Sequence, residues 1–69
     1  MKKQNYKLFE IDEYNGAETH IATFYNRIGV EQVIMFLNEQ NIPCTSYCYY
    51  DDEGIRYTYN DIKQMWNMK

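Results

Sequence analysis

Strand-like runs at residues 6–14 and 17–25 flank Asn15-Gly16, and both mix apolar with polar positions. Asn-Gly between two such runs is a strong hairpin signal, because a two-residue type I′ turn needs φ > 0 at both central positions. A two-residue loop would pair Tyr14 with Ala17, Ile11 with His20, Phe9 with Ala22 and Lys7 with Phe24. One face is then apolar (Phe9, Ile11, Ala22, Phe24). The other is mixed and half-buried (Tyr6, Leu8, Glu10, Asp12, Thr19, Ile21, Thr23, Tyr25).

Residues 29–41 carry the helical period. Val30, Val33, Ile34 and Leu37 recur at i, i+3, i+4 and i+7, the spacing of a buried stripe. Gly29 is read as the N-terminal cap, Glu31 as a complement to the helix dipole, and Ile28 as a staple onto Val33. Asn41 suits the left-handed residue after the last turn, and Pro43 blocks continuation. Phe36 falls at the edge of the stripe and Met35 on its far side, exposed.

Residues 44–50 and 55–59 read as a second pair of strands, rich in Tyr, Thr and Cys. Asp51-Asp52-Glu53-Gly54 is the turn between them. A four-residue loop places Ser46, Cys48 and Tyr50 on one face with Ile55, Tyr57 and Tyr59. A three-residue loop instead groups Tyr47 and Tyr49 with Tyr57 and Tyr59. The segment 60–69 reads as a short helix capped by Asn60, with Ile62, Met65 and Trp66 on one face. The expectation is a single α+β domain over 1–69, of order ββαββα. An antiparallel sheet carries the main helix on one face, a short helix ends the chain, and residues 1–5 are flexible.

Composition adds a functional direction. Eight of 69 residues are tyrosine, beside three phenylalanines and one tryptophan. That is more aromatic mass than so small a core needs, so some rings should serve as contact surface, where tyrosine offers area at low entropic cost. The net charge of −3 argues against binding nucleic acid through its phosphates and against an anionic membrane surface. No stretch approaches the ~18 apolar residues of a membrane span, and Met1-Lys2-Lys3 leads into polar residues rather than a signal sequence. The chain therefore reads as a complete cytoplasmic protein. Its wealth of Asn, Ile, Tyr and Lys and its two alanines imply AT-rich codons.

Catalytic and metal chemistry finds little footing. His20 is the one imidazole, and no motif places a nucleophile beside it. Cys44 and Cys48, four residues apart in an extended segment, have Cα atoms roughly 13 Å apart, too far for a disulfide. They read as small hydrophobes on one strand face. The paired Cys-x-x-Cys knuckles of structural zinc are absent, and Asp51-Asp52-Glu53 lacks the spaced ligands of a calcium loop. No glycine-rich loop cradles phosphate, since Gly16, Gly29 and Gly54 each account for a turn or cap; the helix amides after Gly29, with Arg27 near, are a lesser alternative for holding an anion.

Charge distribution is more suggestive. Glu10, Asp12, Glu13 and Glu18 form one acidic cluster without a basic residue among them, and Asp51, Asp52 and Glu53 form another. Glu13 and Glu18 would face each other across the first hairpin, at a cost in stability. Together with Tyr6, Tyr25, Met35, Tyr47 and Tyr49, these residues are the expected partner-binding surface. Tyr6 and Tyr25 are also read as an aromatic pair. The function expected is that of a non-enzymatic interaction protein without cofactors, binding a host protein with a basic surface and inhibiting it. In size and composition it resembles the small accessory proteins of phages and mobile elements. A different class stands beside it: a homo-oligomer that sequesters a nucleotide or other small ligand with stacked tyrosines and Arg27 or Arg56. A structural subunit of a larger assembly is the third reading.

Overall fold

The computed structural model describes residues 4–67. Of the five N-terminal residues expected to be flexible, 1–3 lie outside the described residues, while Gln4 accepts a hydrogen bond from Tyr6 Oη at 2.7 Å. The elements are β1 (Tyr6–Asp12), β2 (Glu18–Phe24), α1 (Arg27–Glu39), β3 (Thr45–Tyr50), β4 (Arg56–Thr58) and α2 (Tyr59–Asn67). The chain is an α+β domain of order ββαββα, as the residue pattern predicts. Its four strands form one antiparallel sheet in the order β2-β1-β3-β4. Helix α1 carries the chain from the β2 edge back over one face to β3, which inserts beside β1. The shortest dimension is 17 Å, and among the described residues one face of the sheet has no second layer over it.

The first hairpin departs from the expected register. Asp12 N–H donates to Ala17 O at 2.9 Å, and Gly16 N–H donates to Asp12 O at 2.6 Å. The loop is therefore four residues, 13–16, and Gly16 supplies its left-handed position at φ 76°. Leu8 pairs with Ala22 and Tyr6 with Phe24, while beyond a bulge Phe9 pairs with His20 and Ile11 with Glu18. A one-residue change in pairing moves side chains to the other face of their partner strand. Ala22 and Phe24 do pack toward the helix, but with Tyr6 and Leu8. Phe9 and Ile11 lie on the open face. Glu13 sits in the loop, so the predicted Glu13–Glu18 opposition does not occur.

The second hairpin takes the three-residue loop. Tyr49 pairs with Tyr57 and Tyr50 with Arg56. Asp51 N–H donates to Ile55 O at 3.1 Å, and Gly54 takes the left-handed position at φ 84°. Asp51 Oδ1 also accepts from the amides of Glu53 and Ile55, each at 2.9 Å, which ties the turn down. β4 is short, because Tyr59 already belongs to α2. Thr58 rather than Asn60 caps that helix: its Oγ1 accepts from Asp61 N–H at 3.4 Å, and Asp61 Oδ2 accepts from Thr58 N–H at 2.9 Å. This is a capping box with aspartate in the returning position.

Helix α1 starts two residues before the expected position. Asn26, in extended conformation, is the N-cap, and its Oδ1 accepts from Gly29 N–H at 3.2 Å. Ile28 is thereby inside the helix, exposed, and not a staple. Asn41 adopts φ 58° just past the C-cap Gln40, the left-handed stop that the sequence suggests. Val30 and Ile34 are fully buried, with Val33 and Leu37 packed beside them. Phe36 is 61 % exposed, whereas Met35 is half-buried against the core rather than free on the surface. The core consists of Tyr6, Leu8, Val30, Ile34, Tyr47, Tyr49 and Ile62.

Candidate functional site

Three of the five non-acidic residues expected to meet a partner are core residues. Tyr6 and Tyr47 are 8 % and 5 % exposed, and Tyr49 is fully buried. The sheet pairs Leu8 with both Ala22 and Tyr49, and Glu10 with Tyr47, so these phenols line the helix side of the sheet. Tyr6 does not pair with Tyr25 but meets Tyr49 edge-on, at 6.1 Å between centroids and 71°. Tyr25 lies beyond β2 and is exposed, as is Tyr14 at the first hairpin tip.

The core also holds a polar cluster that the sequence pattern did not reveal. Glu31 is 4 % exposed. Its Oε2 accepts from Tyr49 Oη–H at 2.5 Å and from Arg27 Nε–H at 3.2 Å, and its Oε1 accepts from Trp66 Nε1–H at 2.7 Å. Arg27 also lies 5.0 Å over the Tyr57 ring, and Tyr57 stacks on Tyr49 at 4.9 Å and 15°. Tyr57 Oη–H donates to Asp51 Oδ2 at 3.2 Å. One carboxylate thus joins α1, β3 and α2, and a buried charge satisfied in this way is tolerated. Arg27 is committed to this cluster, so the alternative of an anion site at the start of α1 loses its guanidinium. The i, i+4 spacing of Arg27 and Glu31 was the one signal in the sequence, and it reads equally as an exposed helix pair.

Burial foremost, and then the hydrogen bond to Glu31, push the Tyr49 phenol well above its ordinary range, although Arg27 pulls the other way. A phenol whose pKa rises on folding favours the protonated folded state, so its contribution is complete below the unfolded value near 10. Above about pH 10 that contribution is lost progressively. We expect a pH titration to show Tyr49 ionising together with unfolding, followed by tyrosinate absorbance and far-ultraviolet circular dichroism. A Tyr49→Phe variant should lose less stability between pH 9 and 11 than the parent does, relative to pH 7 (working range set by the ~10 of free tyrosine).

The open face has different chemistry. Phe9 lies between His20 and Cys48, and Tyr50 lies between Lys7 and Arg56. Phe9 meets the Tyr50 ring edge-on at 5.2 Å and 79°, and the His20 ring at 5.3 Å. His20 Nε2 is hydrogen-bonded to Thr23 Oγ1 at 2.9 Å. Glu18, from the β2 edge, reaches over the sheet: its Oε1 accepts from Tyr50 Oη–H at 2.8 Å and its Oε2 pairs with Arg56 at 3.1 Å. The hydrogen bond to Glu18 raises the Tyr50 phenol. Cys48 is fully buried on this side of the sheet, and burial raises its thiol, whereas Cys44 precedes the strand at φ 58° and is exposed. The two cysteines therefore do not share one strand face, and both are free thiols.

The acidic clusters are rearranged by the fold. Asp12 pairs with Thr45 at one end of β1, and Lys7 pairs with Tyr50 at the other. The tips at residues 13–16 and 52–54 consequently stand at opposite ends of the sheet. Glu10 faces the helix side beside Tyr47, and Asp12 Oδ1 accepts from Tyr14 N–H at 2.9 Å within its loop. Glu13 and Glu53 are exposed. Asp51 is held below the usual carboxylate range by the turn amides, that of Ile55 first. The clusters meet at one place: Glu18, Asp51 and Asp52 line a single open-face concavity of about 520 Å³ with Asn5, Lys7, Phe9 and Tyr50.

No group of three or more His, Cys, Asp and Glu side chains is placed to hold a metal ion among the described residues. No described helix is long and apolar enough to cross a membrane. No protein-family model matches the sequence, and neither a curated protein nor a solved structure matches it significantly.

Proposed function

We propose that this chain is a non-enzymatic interaction protein that docks on a basic surface of a host protein through the open face of its sheet and inhibits it. It would act in the cytoplasm, in the manner of the small accessory proteins of phages and mobile elements. The observation that carries this reading is the convergence of Glu18 with Asp51 and Asp52, more than thirty residues further along the sequence, on one concavity beside the Phe9 and Tyr50 rings. Carboxylates on the rim attract a basic partner and keep the approach fast. Aromatic edges and faces beneath them supply short-range contact for arginine or lysine side chains. The site has moved from the one first expected: Tyr50 and Phe9 take the place of Tyr6, Tyr47 and Tyr49. The reading as an oligomeric trap for an anionic ligand has weaker support, because Arg27 is held in the Glu31 cluster and Arg56 meets Glu18 on a face whose concavity also carries Asp51 and Asp52.

The test is kinetic. With a partner isolated by affinity capture, association and dissociation rates are measured at two salt concentrations. Asp52→Lys should lower the association rate severalfold and flatten its salt dependence, since exposed charges are screened beyond about 8 Å at physiological ionic strength. Glu13→Lys, at the opposite tip, should change it little. Tyr50→Ala should act mainly on dissociation. Equal effects of Asp52→Lys and Glu13→Lys would remove the concavity from the reading.

A further inference from the structure

Asn15 is one of seven asparagines, and it alone precedes a glycine; the others precede Tyr6, Arg27, Glu39, Ile42, Asp61 and Met68. It stands in the exposed loop 13–16, and nothing lies within 4 Å of where a Gly16 Cβ would be. Its carboxamide is folded back along the chain, because Asn15 Oδ1 accepts from Ala17 N–H at 2.9 Å. The Gly16 peptide nitrogen, next along the chain, is the atom that attacks this carboxamide in succinimide formation. We propose that Asn15 is a self-modification site, at which the native hairpin deamidates without unfolding.

The steps balance within the chain and water. The Gly16 nitrogen attacks Asn15 Cγ, and the new N–Cγ bond closes a five-membered ring. The Cγ–Nδ2 bond breaks, and ammonia departs with the proton given up by the Gly16 nitrogen. Water then opens the ring at either carbonyl, leaving aspartate or isoaspartate. In the first step negative charge develops on Asn15 Oδ1, where Ala17 N–H already donates, so the hairpin stabilises it as a fixed backbone donor does in acyl transfer. The opposing contact is Gly16 N–H to Asp12 O at 2.6 Å, which must open for the proton to leave. At an exposed loop tip such an opening is among the cheapest a fold allows. The product adds one negative charge beside Asp12 and Glu13. The isoaspartate form also lengthens the loop backbone by one carbon. This inference is independent of any partner.

The test compares the folded protein with the same chain unfolded in urea, incubated at mildly alkaline pH and sampled for mass and isoaspartate in the peptide spanning residues 8–27. The native rate should lie within about threefold of the unfolded rate, as expected where opening costs almost nothing. Gly16→Ala is the second variant and should slow both states, because the added methyl crowds the attacking nitrogen. A native chain protected by more than about threefold, or one losing ammonia first at another asparagine, overturns the proposal.

Discussion

Replacing Glu31 by alanine should lower stability by about 3–5 kcal/mol, the cost of breaking a buried charged network by removing one member. Three donors would lose this acceptor at once: Tyr49 Oη, Trp66 Nε1 and Arg27 Nε. Tyr49 is fully buried and cannot turn to water, while Arg27 is 45 % exposed and can. The loss therefore comes chiefly from the orphaned phenol and from the freed end of α2. A domain of this length holds only a few kcal/mol in reserve, so the variant should be partly unfolded at 37 °C. Trp66 is the single tryptophan, and its fluorescence should shift to the red as its indole leaves Glu31. Thermal melts followed by that fluorescence decide the matter. A Glu31→Ala protein that melts with the parent would show that the carboxylate is not what joins the two helices.

Ile34→Ala should cost about 2–5 kcal/mol, as for a buried aliphatic side chain whose cavity cannot collapse. Ile34 is fully buried on the helix face that meets the sheet, and a close-packed core of this kind relaxes only in part around a deleted side chain. Phe36, two residues on, is 61 % exposed, so Phe36→Ala should stay within about 0.5 kcal/mol of the parent. Urea denaturation of the pair reads the face of α1 directly. Similar midpoints for the two variants would mean that the helix is rotated from the orientation described.

The element order was legible because each piece has a local cause. Asn-Gly and Asp-Asp-Glu-Gly mark turns by backbone preference, and the spacing of Val30, Val33, Ile34 and Leu37 marks a helix by its period. Asn41 stops that helix for the same local reason, since few residues other than glycine accept its φ of 58°. These preferences act within a few residues and need no tertiary contact. Helix starts were less legible: Asn26 caps α1 because its side-chain oxygen satisfies the Gly29 amide, which a glycine cap leaves open, and Thr58 caps α2 through its reciprocal bonds with Asp61.

Strand faces lay beyond the sequence. Residues 6–12 alternate apolar side chains on both sides, so period alone does not say whether Leu8 or Phe9 faces the helix. The packing of α1 on the face that carries Tyr6 and Leu8 decided it, and the β1–β3 register put Tyr47 and Tyr49 on that same face. The acidic residues followed the same logic: neighbours in sequence, such as Glu10, Asp12 and Glu13, were separated by pleat and loop, while Glu18 and Asp52 were brought to one concavity. What the sequence determined by itself was a ββαββα chain with its turns, its main helix and its surplus of rings. What only the tertiary structure decided was which rings are core and which carboxylates share a face. A strand reverses every side chain with a one-residue slip, and long-range pairing alone chooses between the two settings.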